Sequence, residues 1–180
     1  MNRALPQAAS PRCIWLTGLP CAGKTSLAQA TAQLLRRQGR PCSVLDGDIV
    51  RHGLCRDLGY SEADRVENIR RVAEVARLML DAGLVVIVAL ISPFDEGRRL
   101  ARSLIGEERF SVVFVDAPLA VCEGRDAKGM YARARRGELP QFTGIDSPYQ
   151  APLQPELRVD THAMSVDACA AAVYRLLAPA

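Results

Sequence analysis

A chain of 180 residues, 49% of them apolar, is long enough to bury one sizeable core and falls within the range of a single domain. Its formal charge of +3 and isoelectric point near 8.6 exclude the concentrated basic stripe of a nucleic-acid binder and suit a small polyanionic ligand. No long apolar stretch follows Met1, and the longest apolar run, 84–91, is far too short for a bilayer, which argues against a signal peptide and a membrane span.

Residues 1–11 read as a flexible N-terminal extension, and 12–180 as one domain. The run 13–17, Cys-Ile-Trp-Leu-Thr, reads as a buried first strand. The stretch 26–35 places apolar residues at helical spacing. Between them lies Gly18-Leu19-Pro20-Cys21-Ala22-Gly23-Lys24-Thr25, the pattern G-x-x-x-x-G-K-[ST] in the strand-to-helix context that a phosphate-binding loop requires. Its glycines let the backbone curl with N–H groups facing phosphate oxygens, and the following helix adds a partial positive charge. Lys24 is expected to reach the β and γ phosphates of a bound nucleotide, and Thr25 to ligate magnesium.

A second strand is expected at 41–45 after Gly39. A helix follows from Ser61, with Asp64 three residues on, to Asp81, and Gly83 ends it. The continuous β-branched run 84–91 fits a central strand buried on both faces. Another strand is expected at 110–115, a helix start at Pro118, and a closing helix at 166–177. The segment 126–149 is rich in Lys, Arg, Gly and Pro and reads as a mobile basic lid. Strands alternating with helices predict an α/β fold, a parallel sheet flanked by helices of the P-loop NTPase type.

Six cysteines, at 13, 21, 42, 55, 122 and 169, form no C-x-x-C pair and have no histidine at metal-ligand spacing, so a reducing cytoplasm is expected. Cys13, Cys42 and Cys122 read as small core residues. Cys21 sits inside the phosphate loop near a helix N-terminus, a setting that lowers a thiol pKa; a tolerated loop residue is the plainer reading.

The end of the second strand narrows the chemistry. Leu45-Asp46-Gly47-Asp48 places two carboxylates beside the phosphate loop, where they can organise magnesium-bound waters or accept the proton of an attacking hydroxyl; a simple Asp-Gly turn is the alternative. No GTPase base-recognition or switch pattern and no second ATPase signature is evident.

From here a series of motifs resembles the adenylyl sulfate kinase family, in its short form, over residues 13–160. These are Leu45-Asp46-Gly47-Asp48, Arg51-His52-Gly53-Leu54, Arg56-Asp57-Leu58-Gly59-Tyr60-Ser61, Asp64-Arg65 and Glu67-Asn68-Ile69-Arg70-Arg71. Downstream come Ile91-Ser92-Pro93, Asp116-Ala117-Pro118-Leu119, Arg125-Asp126, Lys128-Gly129, Phe142-Thr143-Gly144-Ile145-Asp146 and Pro148-Tyr149. The resemblance implies transfer of the ATP γ-phosphoryl to the ribose 3′-hydroxyl of adenosine 5′-phosphosulfate, with ATP and magnesium as cofactors and a homodimer as the assembly.

Carried across, the resemblance implies that Gly18 to Ser26 and Arg125 hold ATP, and that Thr25 and Asp46 serve the metal. Arg51 and Arg65 would grip the phosphosulfate with Asn68 providing polar contacts, Tyr60 and Phe142 would sandwich the acceptor adenine, and Ile91, Ser92 and Lys128 would complete the acceptor site. Lys24, Asp48 and Ser92 are the catalytic candidates, Ser92 being a family serine sometimes assigned as a phosphorylated intermediate. Lys128, Arg133, Arg135 and Arg136 are candidates to cover the phosphates. Two departures stand out: Ile49 replaces an asparagine, and Phe94-Asp95 replaces an aromatic and an arginine. A related small-molecule kinase with another acceptor, or a silent nucleotide-sensing module, is the competing expectation.

Overall fold

The computed structural model describes residues 11–177. The extension expected at 1–11 lies almost wholly outside the described residues.

Five parallel strands form one sheet in the order β2-β3-β1-β4-β5: β1 Cys13–Thr17, β2 Cys42–Asp46, β3 Val85–Ala89, β4 Phe110–Asp116 and β5 Leu157–Asp160. Parallel neighbours need crossovers, and these are supplied by α1 Lys24–Arg37, α2 Gly47–His52, α3 Glu62–Asp81, α4 Asp95–Ile105, α5 Leu119–Gly124, α6 Met130–Arg135 and, after β5, the closing α7 Val166–Arg175. This is the expected α/β architecture.

The two-residue repeat of a strand divides the core cleanly. Ile14 and Leu16 point to the layer of α1 and α7, among Leu27, Leu35 and Val173, while Cys13 and Trp15 point to the layer of α3 and α4, among Val72, Ala76 and Ile105. Every residue of β1 and β3 is buried, which is why both read as unbroken apolar runs. Ser61 caps α3 as expected: its hydroxyl accepts from Asp64 N (3.1 Å) and donates to Asp64 Oδ2 (2.6 Å).

Four elements lie outside the sequence reading. The edge strand β5 has only Val159 buried, so it carries no apolar run. Helix α2 is six residues long, α4 buries Gly97, Arg98, Ala101 and Ile105, too few apolar residues to mark a helical stripe, and α6 lies within the basic segment with Tyr131 and Ala134 buried. The apolar run 84–91 overshoots its strand, because Leu90 and Ile91 turn away at the carboxyl end of β3. There the Ile91 carbonyl accepts from Thr17 Oγ1 (2.7 Å) and Gly18 N (3.4 Å).

Candidate functional site

Outside the carboxyl ends of β1, β2 and β3, where the winding of the sheet reverses, lies a cleft of about 780 Å³. The loop 18–25 forms its floor. Gly18 is required by close approach: a Cβ there would stand 2.3 Å from the Val115 carbonyl oxygen. Gly23, the N-cap of α1, has φ 98°, and Cys21 takes φ 60°, a left-handed conformation that costs a non-glycine residue about 1 kcal/mol or more. Burial raises the Cys21 thiol pKa, the reverse of what a helix N-terminus alone suggests.

Lys24 is 9% exposed, and its ammonium donates to the carbonyls of Gly18 (2.9 Å) and Leu19 (2.7 Å). Burial lowers its pKa to about 8. Beside it, Thr25 Oγ1 donates to Asp46 Oδ2 (2.7 Å), and Asp46 Oδ1 accepts from the Asp48 amide (3.0 Å), capping α2. The structure thus gathers Lys24, Thr25, Asp46 and Asp48 at one point. Asp48 reaches across the cleft to Lys128, with 2.5 Å between carboxylate and ammonium.

The far wall is built around Tyr60, which is 60% exposed. The Arg51 guanidinium lies 4.3 Å from its ring centroid and donates to Gly59 O (2.8 Å). Arg65, 8% exposed, donates to the carbonyls of Tyr60 (3.0 Å) and Gln141 (2.6 Å) and to Thr143 Oγ1 (3.3 Å), so it ties α3 to the segment after α6. Asn68, one turn further along α3, is buried in the cleft wall, and its Nδ2 has no partner among the described residues. Phe142 is half-buried, held by a loop in which Asp146 accepts from the amides of Gln141 (2.7 Å) and Phe142 (2.6 Å).

Ser92 is 3% exposed with φ 44°, and its hydroxyl accepts from Trp15 Nε1 (2.9 Å) while its carbonyl accepts from Arg98 (2.8 Å). That hydroxyl is engaged in the core, although the residue borders the cleft. Arg125 lies at the opposite end, donating to Thr161 O (2.7 Å) and Oγ1 (3.1 Å). Among the basic residues of the lid segment only Lys128 lines the cleft; Arg133 and Arg136 pair with Glu138, and Arg135 with Glu123. The two departures also find their places. Ile49 is 67% exposed and lies off the cleft, whereas Asp95 sits in the first turn of α4, paired with Arg99 (3.0 Å) and Arg98 (3.4 Å).

Sequence reasoning missed Tyr131, Thr161 and Trp15. Tyr131 and Thr161 each hold a carbonyl of the phosphate loop, from Pro20 (2.9 Å) and Ala22 (2.8 Å) respectively. Tyr131 lies in a segment that reads as basic loop, and Thr161 follows a strand too short to register.

A parallel sheet of this order, a phosphate loop after its central strand, and paired carboxylates facing a basic, aromatic wall together define a phosphate-loop kinase. A sequence model of the adenylylsulphate kinase family matches residues 10–160. The adenylyl-sulfate kinase of Aeromonas hydrophila is 58% identical over 158 residues, covering 88% of this chain and 80% of that protein. Among solved structures, the Mycobacterium tuberculosis APS kinase in complex with AMPPNP and APS superposes with a TM-score of 0.90 at 48% identity, covering 93% of this chain and 98% of that one. The hexameric APS kinase from Thiobacillus denitrificans gives 0.70 at 30% identity, over 94% of this chain and 29% of that longer one. The chain belongs to the adenylyl-sulfate kinase family.

Proposed function

We propose that the chain transfers the γ-phosphoryl of ATP to the 3′-hydroxyl of adenosine 5′-phosphosulfate. One observation carries the reading: Lys24, Thr25, Asp46 and Asp48 face Arg51, Arg65 and Asn68 across a single cleft, large enough to seat a triphosphate and a sulfated nucleotide together.

Phosphoryl transfer asks little covalent chemistry of a protein and much positioning and charge neutralisation. Lys24 exchanges its two loop carbonyls for the β and γ oxygens, and its charge compensates what develops on the transferring group. Gly18 through Ser26 cradle the phosphates, and Arg125 with Thr161 borders the donor base. On the acceptor side, the Arg51 guanidinium meets sulfate or phosphate oxygens, and the partnerless Asn68 amide supplies a donor already desolvated. Arg65 combines a contact to the acceptor with its hold on Tyr60 and Gln141. Tyr60 and Phe142 stack the acceptor adenine, with Ile91 closing the wall between them.

Asp48 orients the 3′-hydroxyl and takes its proton, while Lys128 moves from that carboxylate to the acceptor's anionic group. Ser92 acts as a positioning residue: its hydroxyl is engaged by Trp15, and in-line transfer needs no phosphorylated intermediate.

Thr25 and Asp46 fit magnesium. A hydroxyl and a buried carboxylate 2.7 Å apart suit a cation that keeps several waters and takes its other ligands from phosphates. Bound there, the ion would supply charge neutralisation to the transferring phosphoryl group. All six cysteines are free, in keeping with a cytoplasmic protein. No helix among the described residues is long and apolar enough to cross a membrane. A homodimer is the assembly to test by sedimentation.

The test of function is an acceptor screen. With ATP and magnesium, adenosine 5′-phosphosulfate should be converted to its 3′-phosphorylated product in preference to adenosine nucleotides without sulfate and to sugars. Preferential turnover of another hydroxyl compound would replace this reading with that of a related small-molecule kinase.

A further inference from the structure

The phosphate loop is held from outside by two hydroxyls. In a trans peptide the C=O of one residue and the N–H of the next point in opposite directions, so fixing the oxygen aims the hydrogen. The carbonyls of Pro20 and Ala22 bracket Cys21, whose left-handed backbone would relax if the loop were free. Tyr131 donates to the first from α6 (2.9 Å), and Thr161 donates to the second from the turn after β5 (2.8 Å). The amides so directed belong to Cys21 and Gly23. Neither has an acceptor among the described residues, whereas the Ala22 N–H is engaged by Leu19 O (3.2 Å).

Both anchors are themselves fixed. Tyr131 is 2% exposed, and its own amide donates to Asp126 Oδ2 (2.6 Å). Thr161 is tied by its amide to Asp116 O (2.9 Å), and its hydroxyl accepts from Arg125 (3.1 Å). Burial holds the Tyr131 phenol protonated well beyond working pH, so it remains a donor. The other face of the Tyr131 ring meets Phe142 edge-on, centroids 5.0 Å apart. One side chain therefore touches both the donor loop and the acceptor wall.

We propose that Tyr131 and Thr161 are positioning residues that aim the Cys21 and Gly23 amides at the donor triphosphate. The inference rests on the reading that loop 18–25 holds the donor triphosphate, and it adds to that reading the residues that preorganise it.

Calorimetric titration with AMPPNP and magnesium tests it on the full chain. Tyr131→Phe and Thr161→Val each remove one hydroxyl and keep the shape of the side chain. Each should weaken AMPPNP by about five- to tenfold, the loss of one aimed donor. Binding of adenosine 5′-phosphosulfate alone should stay within about twofold, and the melting temperature within about 4 °C. In turnover, kcat and the KM for ATP should suffer while the KM for the acceptor holds. Whichever variant folds must show this selective donor loss. AMPPNP affinity within twofold of the parent, or equal loss of both ligands, overturns the inference. A parent protein that fails to bind AMPPNP sinks the donor-site reading itself, which separates the two failures.

Discussion

At the donor end of the cleft the groups that shape the loop are fixed by neighbours: buried Lys24 on two carbonyls, exposed Thr25 on Asp46, and buried Tyr131 and half-buried Thr161 on the loop from either side. At the acceptor end Tyr60 stands 60% exposed, and Asp48 and Lys128 meet as an exposed pair spanning 80 residues of sequence. One end is held throughout by its neighbours; the other combines buried anchors, Arg65 and Asn68, with an exposed ring and an exposed ion pair from distant segments. A rigid donor site suits a ligand whose phosphates must be aligned for attack, and a looser wall suits an acceptor that must enter and a product that must leave.

The contrast can be broken at several points, the largest effect first. Lys24→Ala removes the one ammonium at the donor phosphates and should lower kcat about a thousandfold, the upper range for a preorganised transition-state donor. Single-turnover kinetics would read it. Asp48→Asn should lower kcat about a hundredfold while AMPPNP affinity is retained, since general-base assistance is lost and the donor loop is untouched. Comparable loss of AMPPNP binding would move Asp48 into the donor site.

Arg65→Ala should weaken adenosine 5′-phosphosulfate by about thirtyfold, the worth of a charge-assisted hydrogen bond, with ATP affinity nearly intact. Arg65→Lys should rescue little of it, because one ammonium cannot span Tyr60 O, Gln141 O and Thr143 Oγ1. Equilibrium titration of both ligands decides the point.

The buried Lys24 also sets a pH dependence. Its pKa of about 8 lies below the ordinary lysine value, and a triphosphate raises it on binding. Below pH 8 the ammonium is already charged and Lys24 adds no pH dependence to ATP affinity. Above pH 8 each binding event takes up a proton, so affinity declines by up to about tenfold per pH unit until the bound-state pKa is reached. Calorimetry in buffers of different ionisation enthalpy would detect that proton. At the small end, Arg136→Ala should leave turnover within about twofold, since that side chain pairs with Glu138 away from the cleft.

The same contrast explains what the sequence revealed. The donor floor is contiguous, so its eight residues and their flanking strand and helix could be read from spacing alone. Arg51, Tyr60, Arg65 and Asn68 became visible through the order of several motifs, not through any local pattern. Tyr131 and Thr161 stayed hidden because a hydroxyl that holds a carbonyl more than a hundred residues away leaves no periodicity behind. The lid arginines show the converse. A run of basic residues reads as a phosphate cover, yet Arg133, Arg135 and Arg136 each lie beside a glutamate. Strands β1 and β3 announced themselves by burial on both faces, and β5 did not because only Val159 goes inside.

The most direct test is a crystal structure of this chain with AMPPNP, magnesium and adenosine 5′-phosphosulfate bound together. The account predicts a triphosphate wrapped by residues 18–26 with Lys24 on its terminal oxygens, and a sulfonucleotide between Tyr60 and Phe142 whose 3′-hydroxyl lies between Asp48 and the terminal phosphorus. A sulfonucleotide seated elsewhere, or one whose 3′-hydroxyl faces away from that phosphorus, would contradict it.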